Sequence, residues 1–152
     1  RSNLEFGRPG ATEAEMWDAL EIAQMADFIR DQADGLDLEV AQGGTNLSGG
    51  QRQRLSIARA VIRRPQIYLF DDAFSALDFS TDARLRAALR PVTQDSTVVM
   101  VSQRVGTIMD ADRILVLDAG RAVGVGRHNE LLQTCPTYQE IAQSQMALEP
   151  GA

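Results

Sequence analysis

The chain has 152 residues and a net charge of −6, and every one of its 15 basic residues is arginine; the absence of lysine excludes a Schiff base, a lysine general base and a lysine gripping phosphates within these residues. The acidic balance argues against nucleic acid as a partner, and the single Cys135 excludes an internal disulfide and fits a reducing compartment. No signal-peptide pattern opens the sequence, and its longest purely apolar runs, such as Val98 to Val101, fall far short of the ~20 residues of a membrane helix, so composition predicts a water-soluble, intracellular, globular chain.

Residues 1–10 are turn-rich, with Gly7, Pro9 and Gly10 and no initiator Met, and read as a cut edge. Thr12 with Glu15 forms a capping-box pattern that predicts a helix to about Gln24, with Met16, Ala19, Leu20 and Ala23 on one face. A short helix is expected over Ala26 to Asp31, ending near Gly35, then a polar loop from Asp37 to Asn46. A long helix comes next, from about Ser48 to Arg63, and stops before Pro65. Its inner face carries Leu55, Ala58 and Ile62, and its outer face Arg52, Arg59 and Arg63. Ile67 to Phe70, ending in Asp71-Asp72, reads as a strand buried on both faces, as in a parallel sheet. A helix over Thr81 to Arg90 should end before Pro91. Thr97 to Val101 reads as a second buried strand, Val105 to Met109 as a short helix and Arg113 to Leu117 as a third strand. Asp118 to Arg121 is a turn, and Arg121 to Gly126 returns as a hairpin arm. Asn129 and Thr134 start two C-terminal helices, the last reaching about Gln145, and Glu149 to Ala152 is expected to fray. Strands alternating with helices imply a layered α/β domain.

Leu47-Ser48-Gly49-Gly50-Gln51 stands where a loop becomes a helix. A helix N-terminus offers unpaired N–H groups and about half a positive charge. Two glycines let an anion approach the backbone, and a serine hydroxyl and a glutamine amide add side-chain hydrogen bonds. The pattern is a phosphate cradle built without lysine. An apolar strand ending in Asp71 places a carboxylate at the ligand edge of an open α/β sheet, where it can hold Mg²⁺, usually through water; Asp72 stands next to it at the same edge. The order of loop, helix, Arg63-Arg64-Pro65, strand and paired carboxylates ties the two signals together.

Together these residues resemble the nucleotide-binding domain of ABC transporters. Leu47 to Gln51 looks like the family's signature motif, Ile67 to Asp71 its Walker B strand, and Ser75-Ala76-Leu77-Asp78 its D-loop. Val99 to Arg104 resembles the switch strand and loop. Asp118 to Arg121 with Gly126-Arg127-His128 resembles the C-terminal hairpin and the segment after it, and Asn3 to Pro9 the segment after the Q-loop of exporters. The resemblance covers nearly the whole chain. It implies an α/β P-loop NTPase (ABC ATPase) fragment, with a helical signature subdomain at 1–64, the Walker B, D-loop, switch and hairpin core at 65–127, and C-terminal helices at 128–152. The family's Walker A loop and Q-loop lie upstream of these residues, in agreement with the missing lysine. The Walker A strand would sit between the strands at Thr97 to Val101 and Arg113 to Leu117. Without it two edges stay unpaired, so the isolated fragment is expected to rearrange or self-associate.

In the family two such domains sandwich two ATP molecules, each held by Walker A and B of one domain and the signature of the other. The resemblance therefore assigns Asp71 to Mg²⁺, Ser48, Gly49, Gly50 and Gln51 to the partner's ATP, and Ser75, Ala76, Leu77 and Asp78 to contact across the sandwich. Three departures bear on catalysis. Asp72 stands where the family usually has a water-orienting glutamate, and its carboxylate is about an ångström shorter in reach; Gln103 replaces the switch histidine; Ala41-Gln42 replace a Gly-Glu pair. The lone His128 reads as a surface or capping residue. An intact signature beside altered Asp72 and Gln103 resembles the degenerate-site half of a heterodimeric bacterial exporter of the multidrug or lipid type. The implied partners are a second nucleotide-binding domain and a transmembrane domain of the same polypeptide, at the cytoplasmic face of the inner membrane, with the isolated fragment soluble and inactive. Alternatives are a homodimeric ATPase with slow turnover and a non-transport ABC protein that uses nucleotide as a switch.

Overall fold

The computed structural model describes residues 1–146. The expected fraying of Glu149 to Ala152 lies outside the described residues. The chain divides into two compact units, Arg1–Val101 and a second beginning at Ser102. This is a division of packing. The three segments read from the motifs divide the chain by role and stand as a proposal.

The first unit opens on a helix, α1 (Ser2–Gly7), where the glycines and Pro9 predicted turns. Leu4 is its buried anchor. Gly7 is explained by packing rather than by a turn: a Cβ there would lie 2.8 Å from the Arg59 carbonyl oxygen and 2.9 Å from Ile62 Cγ2, so only glycine permits this approach. The capping box at Thr12 forms as predicted and starts α2 (Glu13–Ile22), which leads to α3 (Ala26–Arg30). A 3-10 turn, Gly35–Asp37, leads into the polar loop, where Gly43 and Gly44 take φ of +70° and +66°, and Asn46 ties the loop, accepting the Ala41 N–H at 3.0 Å and donating to the Glu39 carbonyl at 2.9 Å. α4 (Gly49–Ile62) buries Ile57, Ala58, Val61 and Ile62. Leu55, expected on the inner face, is half-buried, and Ile57 and Val61 take the deeper positions.

β1 (Ile67–Asp71) passes through α5 (Phe79–Val92) to β2 (Thr97–Val101), which pairs with it in parallel from Ile67↔Thr97 to Asp71↔Val101. Pro91 does not stop α5; it lies in the last turn, and the Thr93 N–H closes the end on the Leu89 carbonyl. The expectation of strands buried on both faces is corrected. Tyr68 and Phe70 point into the core, stacked at 5.8 Å, with Phe74, Leu85 and Leu89 in the same cluster. Ile67 and Leu69 remain 65% and 69% exposed, and β2 is exposed over most of its length. A continuous apolar run says that both faces suit burial, and within this unit only one face is covered.

In the second unit α6 (Val105–Ile108) precedes the antiparallel hairpin of β3 (Ile114–Asp118) and β4 (Arg121–Gly126). The two-residue turn has φ +46° at Ala119 and +75° at Gly120, the sign pattern that matches strand twist. α7 (His128–Thr134) and α8 (Pro136–Met146) close the unit, starting at His128 and Pro136 rather than at Asn129 and Thr134. Proline suits a first helical position because its missing N–H has no intrahelical partner there. The core is Val105, Ile114, Val116, Leu131, Cys135, Tyr138 and Ala142. Among the described residues, no helix is long and apolar enough to cross a membrane.

Candidate functional site

The 47–51 segment folds as its sequence dictates. Leu47 is buried, and Ser48 is the N-cap of α4. The Gln51 N–H donates to Ser48 Oγ at 3.2 Å, and the Ser48 N–H donates to Gln51 Oε1 at 2.8 Å. This reciprocal box engages the acceptor atoms of both side chains. The Ser48 O–H, the Gln51 amide NH₂ and the first-turn N–H groups of Gly49 and Gly50 are the donors it does not use. Arg52 stiffens the approach from behind, donating to the Leu47 carbonyl at 2.6 Å and the Gly44 carbonyl at 3.3 Å.

Facing this helix start is the loop after β1. Asp72 adopts a left-handed conformation, φ +48°, a region that aspartate visits more readily than most residues. Its N–H donates to the Val101 carbonyl at 3.0 Å, and its carbonyl accepts the Ser75 hydroxyl at 3.0 Å. Leu77 is buried and anchors the 75–78 loop. Asp78 caps α5, accepting the Thr81 N–H at 2.9 Å. A groove of about 450 Å³ runs between the two segments, lined by Ser48, Gly49, Gly50, Arg54, Asp78 and Thr81 among others. Gly50 sets its width: a Cβ there would stand 3.2 Å from the Ala76 carbonyl oxygen and 3.3 Å from Leu77 Cδ2, contacts that would push the loop away. Arg54 donates to the Gln24 carbonyl and, at 3.4 Å, to the Gly50 carbonyl. Burial lowers its pKa, and Asp78 opposes that.

The hydrogen bond from Thr81 holds the Asp78 carboxyl below its ordinary pKa of 3.8. A carboxyl whose folded-state pKa is depressed binds its proton more readily in the unfolded chain. Its contribution is complete above that unfolded value and is lost as pH falls through the folded one. Asp78→Asn keeps an acceptor but no charge. Melting curves should show wild type the more stable at pH 7, with the gap closing as pH falls below 3.8. A gap constant down to pH 2.5 would mean that the cap works without its charge.

The structure brings Ser48, Gly49 and Gly50 together with Ala76, Leu77 and Asp78 around one groove; Gln51 and Ser75, expected with them, do not line it, Gln51 closing the capping box and Ser75 bonding Gln53 and the Asp72 carbonyl. Asp71 and Asp72, at the end of β1, are exposed. Among the described residues no group of three or more metal-binding side chains gathers. A single exposed carboxylate suits Mg²⁺ held mostly by water and phosphate oxygens, not a cation caged by protein ligands. Gln103 lies in the second unit, exposed. Gln145 of α8 holds the backbone beside it, donating to the Gln103 carbonyl at 2.5 Å and accepting the Val105 N–H at 2.8 Å. His128 Nδ1 lies 2.8 Å from the Tyr138 hydroxyl, a packing role at the start of α7.

Sequence reasoning passed over Gln53. It stands one turn beyond the glycine pair and forms hydrogen bonds to both Ser75 and Ala76. The spacing was a usable signal, because residues three and four apart share a helix face.

The family model for ABC transporters matches residues 2–75. An uncharacterised ABC transporter ATP-binding protein of Mycobacterium tuberculosis is 58% identical over 94% of this chain and 25% of its own length. An ATM1-type heavy metal exporter of Novosphingobium aromaticivorans is 42% identical over 95% of this chain and 24% of its own length. Among solved structures, that of a bacterial Atm1-family ABC exporter with ATP bound matches at a TM-score of 0.91 and 42% identity, over 95% of this chain and 25% of that one. The expected rearrangement or self-association of the isolated fragment stays a proposal.

Proposed function

Because the chain belongs to the ABC transporter ATP-binding family and spans about a quarter of the length of the curated relatives it matches, we propose that it is part of the ATP-binding subunit of an ABC exporter. In this reading, Ser48 to Gln51 complete an ATP site on a second nucleotide-binding domain, while Asp71, Asp72 and Gln103 serve a slow, degenerate site of the chain's own. The fold is that of an α/β ABC ATPase fragment, and no residue here can be the Walker A lysine. ATP-binding domains of this family act on the cytoplasmic side of the membrane. The rest of the subunit, a transmembrane domain included, lies outside these residues.

One observation carries the reading: the groove at the start of α4 joins unspent backbone and side-chain donors to the loop at Ser75 to Asp78. Bound MgATP supplies the phosphate oxygens that such donors would meet. Gly49 and Gly50 would offer N–H groups, with the Ser48 hydroxyl and the Gln51 amide beside them, and the positive end of α4 would favour negative charge. Asp71 would hold Mg²⁺ through water. Asp72 would orient water less well than a longer carboxylate, and Gln103 would offer a neutral hydrogen bond in place of a cation. The chain by itself, with no lysine for phosphate, is expected to be inactive.

ATP turnover of the full-length protein tests the heterodimer. Purified alone it should turn over little ATP; combined with its partner subunit it should gain at least about tenfold. Equal turnover with and without the partner would replace this reading with a homodimer in which Asp72 suffices as the base.

A further inference from the structure

We infer that Gln53 is a positioning residue that fixes the D-loop against the signature helix, so that both reach the partner's ATP site as one piece; the inference rests on the function proposed above. The half-buried Gln53 amide is directed entirely at one short stretch of chain. Its Nε2 donates to the Asp72 carbonyl at 3.2 Å and to Ser75 Oγ at 2.9 Å. Its Oε1 accepts the Ala76 N–H at 2.9 Å. The Ser75 hydroxyl donates in turn to the Asp72 carbonyl at 3.0 Å, which closes a ring of three residues. None of these bonds stabilises α4 itself, since every partner lies on the 72–76 segment.

Position explains the effect. Gln53 lies three and four residues after Gly50 and Gly49, on the face that borders the 75–78 loop. The close approach at Gly50 brings helix and loop into contact, and the Gln53 amide fixes their relative setting. A displacement of α4 as its N-terminus engages an anion therefore carries the D-loop and the left-handed Asp72 backbone with it. Hydrogen-bonded networks of this kind are a physical means of coupling between sites. Rate is sensitive to such settings, because misplacement by about an ångström can cost about 10²-fold.

The test uses the full-length subunit assembled with its partner and compares Gln53→Met, Gln53→Glu, Ser75→Ala, the Gln53→Met/Ser75→Ala double variant and Ser48→Arg. Methionine keeps the length and removes every hydrogen bond. Glutamate keeps the acceptor towards Ala76 and turns a carboxylate on the Asp72 carbonyl. Gln53→Met and Gln53→Glu should each lower kcat for ATP about tenfold, with KM within about twofold of wild type. The double variant should be no slower than Gln53→Met, because one network is lost only once. Unchanged kcat in Gln53→Met and Gln53→Glu overturns the inference, as does a loss confined to KM, or a double variant slowed by the product of the single effects. Ser48→Arg separates the two claims: if it is dead while the Gln53 variants match wild type, only the positioning role fails; if it turns over normally, the signature reading itself fails.

Discussion

Ser48→Arg in the full-length protein, assembled with its partner, should lower ATP turnover at least about 10²-fold while leaving nucleotide binding at the protein's own site unchanged. Ser48 contributes to the helix start in two ways. Its Oγ accepts the Gln51 N–H, and its N–H is accepted by Gln51; losing such a cap costs about 0.5–2 kcal/mol of helix stability. A guanidinium at that position also opposes the positive end of α4 and adds bulk to a groove of only about 450 Å³. The donors of Gly49 and Gly50 would then be displaced or covered. Ser48→Ala separates these effects, since it removes the cap without adding bulk or charge. It should lower the melting temperature and, because the hydroxyl is also a donor proposed for phosphate, lower turnover, but by less than Ser48→Arg does. If Ser48→Arg melts as Ser48→Ala does and still hydrolyses ATP at the wild-type rate, the 47–51 segment does not serve a partner's nucleotide.

What the sequence carried, it carried through local chemistry. The Ser48–Gln51 and Thr12–Glu15 boxes were legible because capping is decided within four residues, and both formed. The hairpin was legible from Asp118-Ala119-Gly120-Arg121 for the same reason. Failures arose where a distant neighbour decides. Gly7 looked like a turn residue, but the Arg59 carbonyl, far along the chain, is what requires glycine there. Val98 to Val101 declared two apolar faces and could not say which one this unit covers. Gln53 and Gln145 escaped notice because their partners are mainly backbone groups 19 to 42 residues away. For Gln53 the helical spacing from Gly49 and Gly50 gave the face, but not the distant loop it bonds. The candidate site was thus readable at its helix start, and not in the bonds that hold its loops.

Asp72→Glu combined with Gln103→His should raise ATP turnover at the protein's own site at least about 10²-fold, measured in the full-length assembly with the partner's competent site silenced. Each change restores a group that the resemblance identifies as missing. Glutamate extends the carboxylate by one methylene from a backbone already fixed: the Asp72 N–H is bound to the Val101 carbonyl and its carbonyl to Ser75 and Gln53. The added reach is therefore delivered at the side-chain end, where an ångström of misplacement can cost about 10²-fold. The left-handed φ of +48° suits aspartate better than glutamate, which takes back part of the gain. Histidine at 103 adds a group able to carry positive charge towards a developing negative one, and an aligned donor of that kind is worth about 10²–10³-fold. Its backbone is already held by Gln145, which bonds the Gln103 carbonyl and the Val105 N–H. The side chain can thus change without the loop being rebuilt. The single variants should each recover less than the pair, because water orientation and charge stabilisation act on one transition state. The histidine also leaves a pH signature: turnover of the double variant should rise with occupancy of the imidazolium, near an ordinary histidine pKa of about 6.5, while the Asp72→Glu variant alone should not. A double variant no faster than wild type would show that these two residues are not what makes the site slow.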